Sequence, residues 1–310
     1  MEYPHYDYAV LGGDMRQVWL TEELSHHQNK VCHYALPALP NERNCSDASV
    51  VHAADSLNEA CLHSNCIACP IPFIKKDSDM ISSDPRHHFS SSALLELLHS
   101  GQTLFAGQIP DDFRKAAEER GVTVFDYLDD ESLAVRNSIA AAEGAVCEAI
   151  TRSPFNLHKS CCAVLGFGRC GRTLVSYLKG MFCNVTVCTN EPTEAARASI
   201  VADGCIHLKK LPDYVGNFDF VFNTIPAQVL TNDILRRMKH TVLIIDIASA
   251  PGGVDFAAAN HLGITAAHCL SLPGKYAPAA SAHILREIIE AQRSTHVTVQ
   301  PRTLHWLQSP

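Results

Sequence analysis

The stretch CCAVLGFGRCGRTLVSYL, residues 161–178, constrains the fold more than any other. A short apolar run ends in three glycines, Gly166, Gly168 and Gly171, spaced G-x-G-x-x-G, and an amphipathic run follows. That order reads strand, tight turn, helix, and the next apolar run, NVTVCT at 184–189, closes a βαβ unit. In such a unit the first glycine permits the turn and the second lets the backbone approach a pyrophosphate. The third lets the helix pack closely on the strand. The helix N-terminus then faces the anion. The spacing predicts a dinucleotide site over Gly166, Phe167, Gly168, Arg169, Cys170 and Gly171.

The rest of the chain repeats the alternation. YDYAVLGGD at 6–14 leads through a glycine pair into the helical run MRQVWLTEELSHH. CIACPIPFI, 66–74, reads as a buried strand, followed by the polar loop KKDSDMISSDPRHH and the helix SSALLELLHS. TLFAG, DDFRKAAEER and VTVFDYL add strand, helix and strand, and an alanine-rich helix runs from Asp129 to about Arg152. Beyond NVTVCT the pattern continues through TEAARASIVADG, CIHL, FDFVFNTIP, 231–238, TVLIIDIAS, 254–261 and GITAAHCL to a helix at 279–292.

This predicts an α/β chain of two Rossmann-like lobes with parallel sheets, bridged by the long helix and the C-terminal helix. The expected boundaries are 1–130 for a substrate lobe, 131–152 for the bridging helix and 153–278 for the NAD(P) lobe. Residues 279–293 form the helix returning to the first lobe, and 294–310 a loosely held tail. A cleft between the lobes is the expected small-molecule site.

Charge and cysteine usage exclude several classes. A net charge of −8 without a basic cluster argues against nucleic acid, and no apolar run is long enough for a membrane helix. MEYPHYDYAVLGGD carries no secretion signal, so a cytoplasmic location and reduced thiols are expected for the 13 cysteines. Cys61, His63, Cys66 and Cys69 lack a second C-x-x-C pair, and no metal site is expected there.

The form of the nucleotide is less constrained. NAD sites commonly end the second strand in Asp or Glu, which grips the ribose hydroxyls. Here that strand ends Cys188-Thr189-Asn190, and Thr189 and Asn190 donate to phosphate without repelling it, with Arg197 in reach. Glu191 follows and offers the missing carboxylate, so the residues lean toward NADP and leave NAD open. Later strand ends point at the same crevice: Asn223, Thr224 and Ile225 after one strand, Ala248 and Ser249 after the next.

Several motifs together resemble the A-subunit family of dipicolinate synthase. They are VLGGDMRQ (10–17), CPIP (69–72), RNSIAAAEG (136–144), GFGRCG (166–171), NTIP (223–226), DIASAPGGVD (246–255) and LPGKYAP (272–278). The chain departs from the family pattern at Ala140-Ala141, where members usually carry Pro-Thr, and near Asn190, often basic. It departs again at Ala279-Ala280, usually Lys-Thr, and 38–66 carries no family feature. The resemblance implies NAD(P)-dependent oxidation of dihydrodipicolinate to dipicolinate during sporulation, in partnership with the flavoprotein-like B-subunit of dipicolinate synthase. A homo-oligomer is also expected.

A planar ring with two carboxylates calls for cations and backbone donors on both sides. The matched motifs offer Arg16, Gly12, Gly13, Arg136, Asn137, Ser138 and Lys275 as substrate contacts. The candidate bases for the second proton are Glu143, His268 and Asp14. Two other readings compete. One is a 2-hydroxy or 2-amino acid dehydrogenase, which needs a histidine–carboxylate pair through His268 or His283. The other is a non-catalytic nicotinamide-binding sensor, which an intact dicarboxylate pocket argues against.

Overall fold

The computed structural model describes residues 5–26, 29–40, 51–74 and 89–297. The chain divides into two units, one formed by 1–133 with 278–310 and the other by 134–277. The polar loop expected at 75–88 and the tail beyond 297 lie outside the described residues.

The first unit opens with β1 (Tyr6–Leu11), α1 (Met15–Ser25), β2 (Val31–Tyr34), β3 (Val51–Ala53), α2 (Leu57–Leu62) and β4 (Ser64–Ala68). It continues with α3 (Ser91–Leu97), β5 (Thr103–Ala106), α4 (Asp111–Glu119) and β6 (Thr123–Asp126), and regains α12 (Pro278–Val297). Its six strands form one parallel sheet in the order β3-β2-β1-β4-β5-β6. The order reverses between β1 and β4, the place where open α/β sheets bind ligands beyond the strand ends.

The second unit takes most of α5 (Glu131–Arg152), then β7 (Cys161–Leu165), α6 (Arg169–Gly180), β8 (Asn184–Thr189), α7 (Pro192–Val201) and β9 (Gly204–His207). After α8 (Leu211–Tyr214) come β10 (Phe220–Asn223), α9 (Asn232–Leu235), β11 (Leu243–Asp246), α10 (Phe256–His261), β12 (Thr265–His268) and α11 (Leu272–Tyr276). This sheet, also parallel, runs β12-β11-β10-β7-β8-β9 and reverses between β7 and β10. Both lobes are therefore doubly wound, as the alternation predicts.

The structure corrects several element readings. The strand expected at 66–74 ends at Ala68, because Pro70 and Pro72 have no N–H for a ladder. Cys69 and Phe73 still bond Phe105 and Gly107 across that stretch, at 2.7 and 2.6 Å. β2, β3 and α2 have no counterpart in the sequence reading, nor does α11, whose helix starts on the Leu272-Pro273 step. Residues 294–297 continue α12, where the tail was expected to begin.

Each long helix is held by apolar burial. Ala282, Ile284, Leu285, Ile288 and Ile289 of α12 share a core with Val18, Leu20 and Leu24 of α1, and Arg293 sits 4.7 Å over the Tyr8 ring. Ala142, Ala145, Val146 and Ala149 of α5 share the second unit's core with Leu174 and Leu178 of α6. A Cβ on Gly144 would fall 2.8 Å from Tyr276 and 3.0 Å from Leu272, so glycine there lets α11 lie against α5. Among the described residues no helix is long and apolar enough to cross a membrane, and no three His, Cys, Asp or Glu side chains converge as metal ligands.

Candidate functional site

At the reversal point of the second sheet, β7 runs into the glycine turn. Gly166 has φ +87°, and a Cβ there would fall 2.5 Å from Thr224 Oγ1. A Cβ on Gly171 would fall 2.4 Å from the Gly166 carbonyl oxygen, so neither position accepts a side chain. Gly168 is different: its Cβ would meet nothing within 4 Å, and it is the N-cap of α6. The first N–H groups of a helix have no acceptor within it. An open cap above them fits a pyrophosphate. Arg169 is exposed and Cys170 half-buried in the first turn of α6, while Phe167 is buried beneath it.

The neighbouring strand ends are braced from inside. Asp246, fully buried, accepts from Asn223 Nδ2 at 2.8 Å, from Ala248 N at 3.1 Å and from Gly253 N at 2.7 Å. Asn223 also donates to the Ile225 carbonyl at 3.0 Å and accepts from the Ile225 N–H at 3.2 Å. Thr224 donates its hydroxyl to the Leu165 carbonyl at 2.8 Å. These side chains shape the loop, and the exposed Ser249 is left on its rim. His268, at the end of β12, has Nε2 2.9 Å from the Ala248 carbonyl and stacks on Phe256. A carbonyl only accepts, so Nε2 carries a hydrogen, and in the neutral ring Nδ1 is the acceptor nitrogen.

The motif residues of α5 turn toward α6. Ser138 donates to the Val135 carbonyl and shares a 2.6 Å hydrogen bond with Thr173, and Glu143 accepts from Tyr177 OH at 2.9 Å. The carboxylate of Glu143 raises the Tyr177 phenol above its usual range. Arg136 and Asn137, directly before Ser138, are half-buried, and the buried Asn137 Oδ1 has no hydrogen-bond partner among the described residues. Asn137 thus keeps an acceptor in reserve.

Lys275 is already engaged. Its ammonium lies 2.6 Å from Glu148 Oε1, which also accepts from Tyr276 OH at 2.7 Å, while Arg152 holds Oε2 at 2.7 Å. The Glu148 side chain is only 5% exposed, and the Lys275 hydrogen bond above all holds its carboxyl down at about 2. A carboxyl depressed in the fold stabilises it above the unfolded value, and that contribution fades as pH falls toward the folded value. Between about pH 4.5 and pH 2, the melting temperature of the wild type should fall more steeply than that of Glu148→Gln. Parallel acid limbs in a pH series of thermal melts would refute this role for Glu148.

In the first unit the reversal point carries the second glycine turn. Gly12 and Gly13 have φ +60° and +83°, and a Cβ on Gly13 would fall 2.4 Å from Gln17 Cγ and 3.0 Å from Pro70. The Gly12 N–H is held by the Tyr34 carbonyl at 2.9 Å. Asp14 caps α1 by accepting from Arg16 N at 2.9 Å, and its carboxylate also takes Arg16 Nε at 2.9 Å and Nη2 at 2.7 Å. Nη2 donates again to the Ile71 carbonyl at 2.6 Å. Three of the five guanidinium N–H groups are thereby taken, and among the described residues both on Nη1 remain. Beside them Gln17 donates to the Ala68 carbonyl at 3.1 Å, and its buried Oε1 has no partner among the described residues. Asp14 is thus a cap and counter-ion, and the unused donors belong to Arg16.

Asp246, Glu148, Gln17 and Glu194 hold these sites together without a role expected from the sequence. Asp246 lies inside a quoted motif, which was its signal. Glu194 gave none: it sits in the first turn of α7, and its carboxylate reaches back to the glycine turn.

Residues 7–128 match the family model of the dipicolinate synthase A-subunit N-terminal domain, and 135–257 the D-isomer specific 2-hydroxyacid dehydrogenase, NAD binding domain. A relative from Bacillus subtilis (strain 168), a dipicolinate synthase A-subunit, is 35% identical over 159 residues, 51% of this chain and 54% of its own length. The chain thus spans about half of the curated relative it matches. The solved dipicolinate synthase A-subunit from Bacillus halodurans superposes with a TM-score of 0.81 at 24% identity, covering 94% of this chain and 98% of that one. For the solved dipicolinate synthase A-subunit from Bacillus subtilis the values are 0.79, 24%, 96% and 98%. At that identity the two superpositions establish the fold.

Proposed function

We propose, for a chain that resembles the dipicolinate synthase A-subunit, that it oxidises dihydrodipicolinate to dipicolinate with NAD(P) as acceptor. One ring hydrogen leaves with its electron pair as hydride and the other as a proton, and the ring becomes the aromatic pyridine-2,6-dicarboxylate. The nicotinamide, when bound, supplies the hydride acceptor. The open Gly168 cap fits the pyrophosphate, and the braced loops after β10 and β11 border the space beyond it.

The observation that carries this reading is the Arg16 guanidinium. It is 10% exposed, fixed by Asp14 and Ile71, and keeps the Nη1 pair for a carboxylate. On this reading the first lobe binds the dicarboxylate and the second the nucleotide. Of the three proposed bases, His268 presents a ring acceptor in Nδ1, Glu143 is exposed and shared with Tyr177, and Asp14 is engaged by Arg16. Aromatisation drives the step downhill, so holding the ring matters more than a strong base. A 2-hydroxy acid dehydrogenase needs a histidine paired to a carboxylate, whereas His268 pairs with a backbone carbonyl. His283 pairs with Glu23 and Glu287 on the first lobe's helices.

The reading includes the flavoprotein-like B-subunit of dipicolinate synthase, a homo-oligomer, and a cytoplasmic setting. It is tested by absorbance assay with dihydrodipicolinate generated in situ. The chain alone should form little dipicolinate, and adding the B-subunit should raise the rate at least about tenfold, a barrier difference near 1.4 kcal/mol. Full activity without that second protein removes the partner from the scheme. No dipicolinate under either condition removes the reaction.

A further inference from the structure

The carboxylate of Glu194 joins three elements. Its Oε2 accepts from Phe167 N in the glycine turn at 3.1 Å and from Thr189 Oγ1 at the end of β8 at 2.6 Å. Thr189, buried, accepts in turn from Glu191 N at 3.1 Å. The anchor is therefore the backbone of the turn plus a buried hydroxyl, and α7 adds the positive end of its dipole. The other oxygen, Oε1, accepts no hydrogen bond from the described residues, and the residue is only half-buried.

In a doubly wound sheet the adenosine ribose lies beyond the end of the second strand, next to the glycine turn. Thr189 and Phe167 mark those two places, and Glu194 is tied to both. We propose that Glu194 receives the 2′-hydroxyl of the adenosine ribose on Oε1 and makes NAD, rather than NADP, the nucleotide of this lobe. The inference rests on the dinucleotide reading above. A ribose hydroxyl donates to the carboxylate, whereas a 2′-phosphate would set a second negative group against it. Glu191, the carboxylate nearest in sequence to the strand end, is exposed and caps α7 without a side-chain bond. Of the nearby cations, Arg172 is turned onto the Phe167 carbonyl at 3.0 Å, and Arg197 lies exposed one turn along α7.

Calorimetric titration of the full chain with NAD+ and with NADP+ tests the assignment. The wild type should bind NAD+ at least about tenfold more tightly, a difference near 1.4 kcal/mol. Glu194→Gln keeps an oxygen for Phe167 and Thr189, so the turn should hold, but it removes the charge. It should weaken NAD+, strengthen NADP+ and bring the two affinities within about threefold, roughly 0.6 kcal/mol. A wild type that binds both equally overturns the inference while leaving the dinucleotide site in place. So does a ratio that moves with Glu191→Gln instead of Glu194→Gln. A wild type that binds neither nucleotide overturns the site itself and the inference with it.

Discussion

Gly168→Asp should lower the affinity for NAD+ and NADP+ alike by at least about a hundredfold while the protein stays folded. Gly168 has φ −71° and ψ −160°, a conformation open to any residue, and its Cβ would meet nothing within 4 Å. It is also the N-cap of α6, where aspartate is among the preferred residues. The melting temperature should therefore hold or rise slightly. Binding fails for the same reason that folding does not: the new carboxylate accepts the N–H groups at the start of α6 that the pyrophosphate needs. Two charge-assisted hydrogen bonds at about 1.5 kcal/mol each set the hundredfold scale. Gly171→Ala gives the opposite result. Its methyl would fall 2.4 Å from the Gly166 carbonyl oxygen, and backbone cannot swing aside as a side-chain tip can. That variant should melt markedly lower. A folded Gly168→Asp protein with unchanged titrations would take the glycine turn out of the nucleotide site.

The contrast between these glycines shows what was legible in the sequence. Spacing alone located the turn, because the tight bend, the close approach and the helix contact each demand a missing side chain at a fixed step. The second sheet was legible strand by strand for a similar reason. Parallel strands buried on both faces read as unbroken apolar runs, as in CCAVL, FVFN and LIID. The first sheet was harder. β2 is four residues with His33 inside it, and β3 is three residues on the sheet edge, half-exposed to exposed. Neither carries a long apolar signature.

Site chemistry was legible only where it followed the chain. Arg16 stood out in its motif, but its partner at Asp14 did not, since residues two apart on a helix do not face each other. The pair closes because Asp14 is the cap, outside the helix proper. Glu194 lies 27 residues from Phe167, and no local pattern links a helix's first turn to an earlier strand's end. Lys275 stands in a motif, but its partner Glu148 lies 127 residues away and nothing local links them.

Arg16→Ala is the sharpest test of the first lobe. The proposed anchor and the fold lean on the same guanidinium, so two losses are expected together. Removing the Nη1 donors costs a charge-assisted contact of about 1.5–3 kcal/mol, roughly 10- to 150-fold in dicarboxylate affinity. Removing the rest leaves the Ile71 carbonyl without its donor and Asp14 without its counter-ion. Asp14 is 31% exposed and rehydrates in part, so this second cost is about 1–3 kcal/mol, or roughly 2–12 °C in melting temperature. Nucleotide affinity in the folded fraction should stay within about twofold, because that turn belongs to the other lobe. Arg16→Lys separates the two losses. A lysine keeps a cation for Asp14 but cannot hold Asp14, Ile71 and a ligand carboxylate with one planar fork. It should recover most of the melting temperature and little of the dicarboxylate affinity, measured by calorimetry with dipicolinate. If Arg16→Ala lowers only the melting temperature, Arg16 is a brace for the β4 loop and the carboxylate anchor lies elsewhere. If Arg16→Lys restores both, a single positive charge suffices and the Nη1 pair is not what reads the ligand.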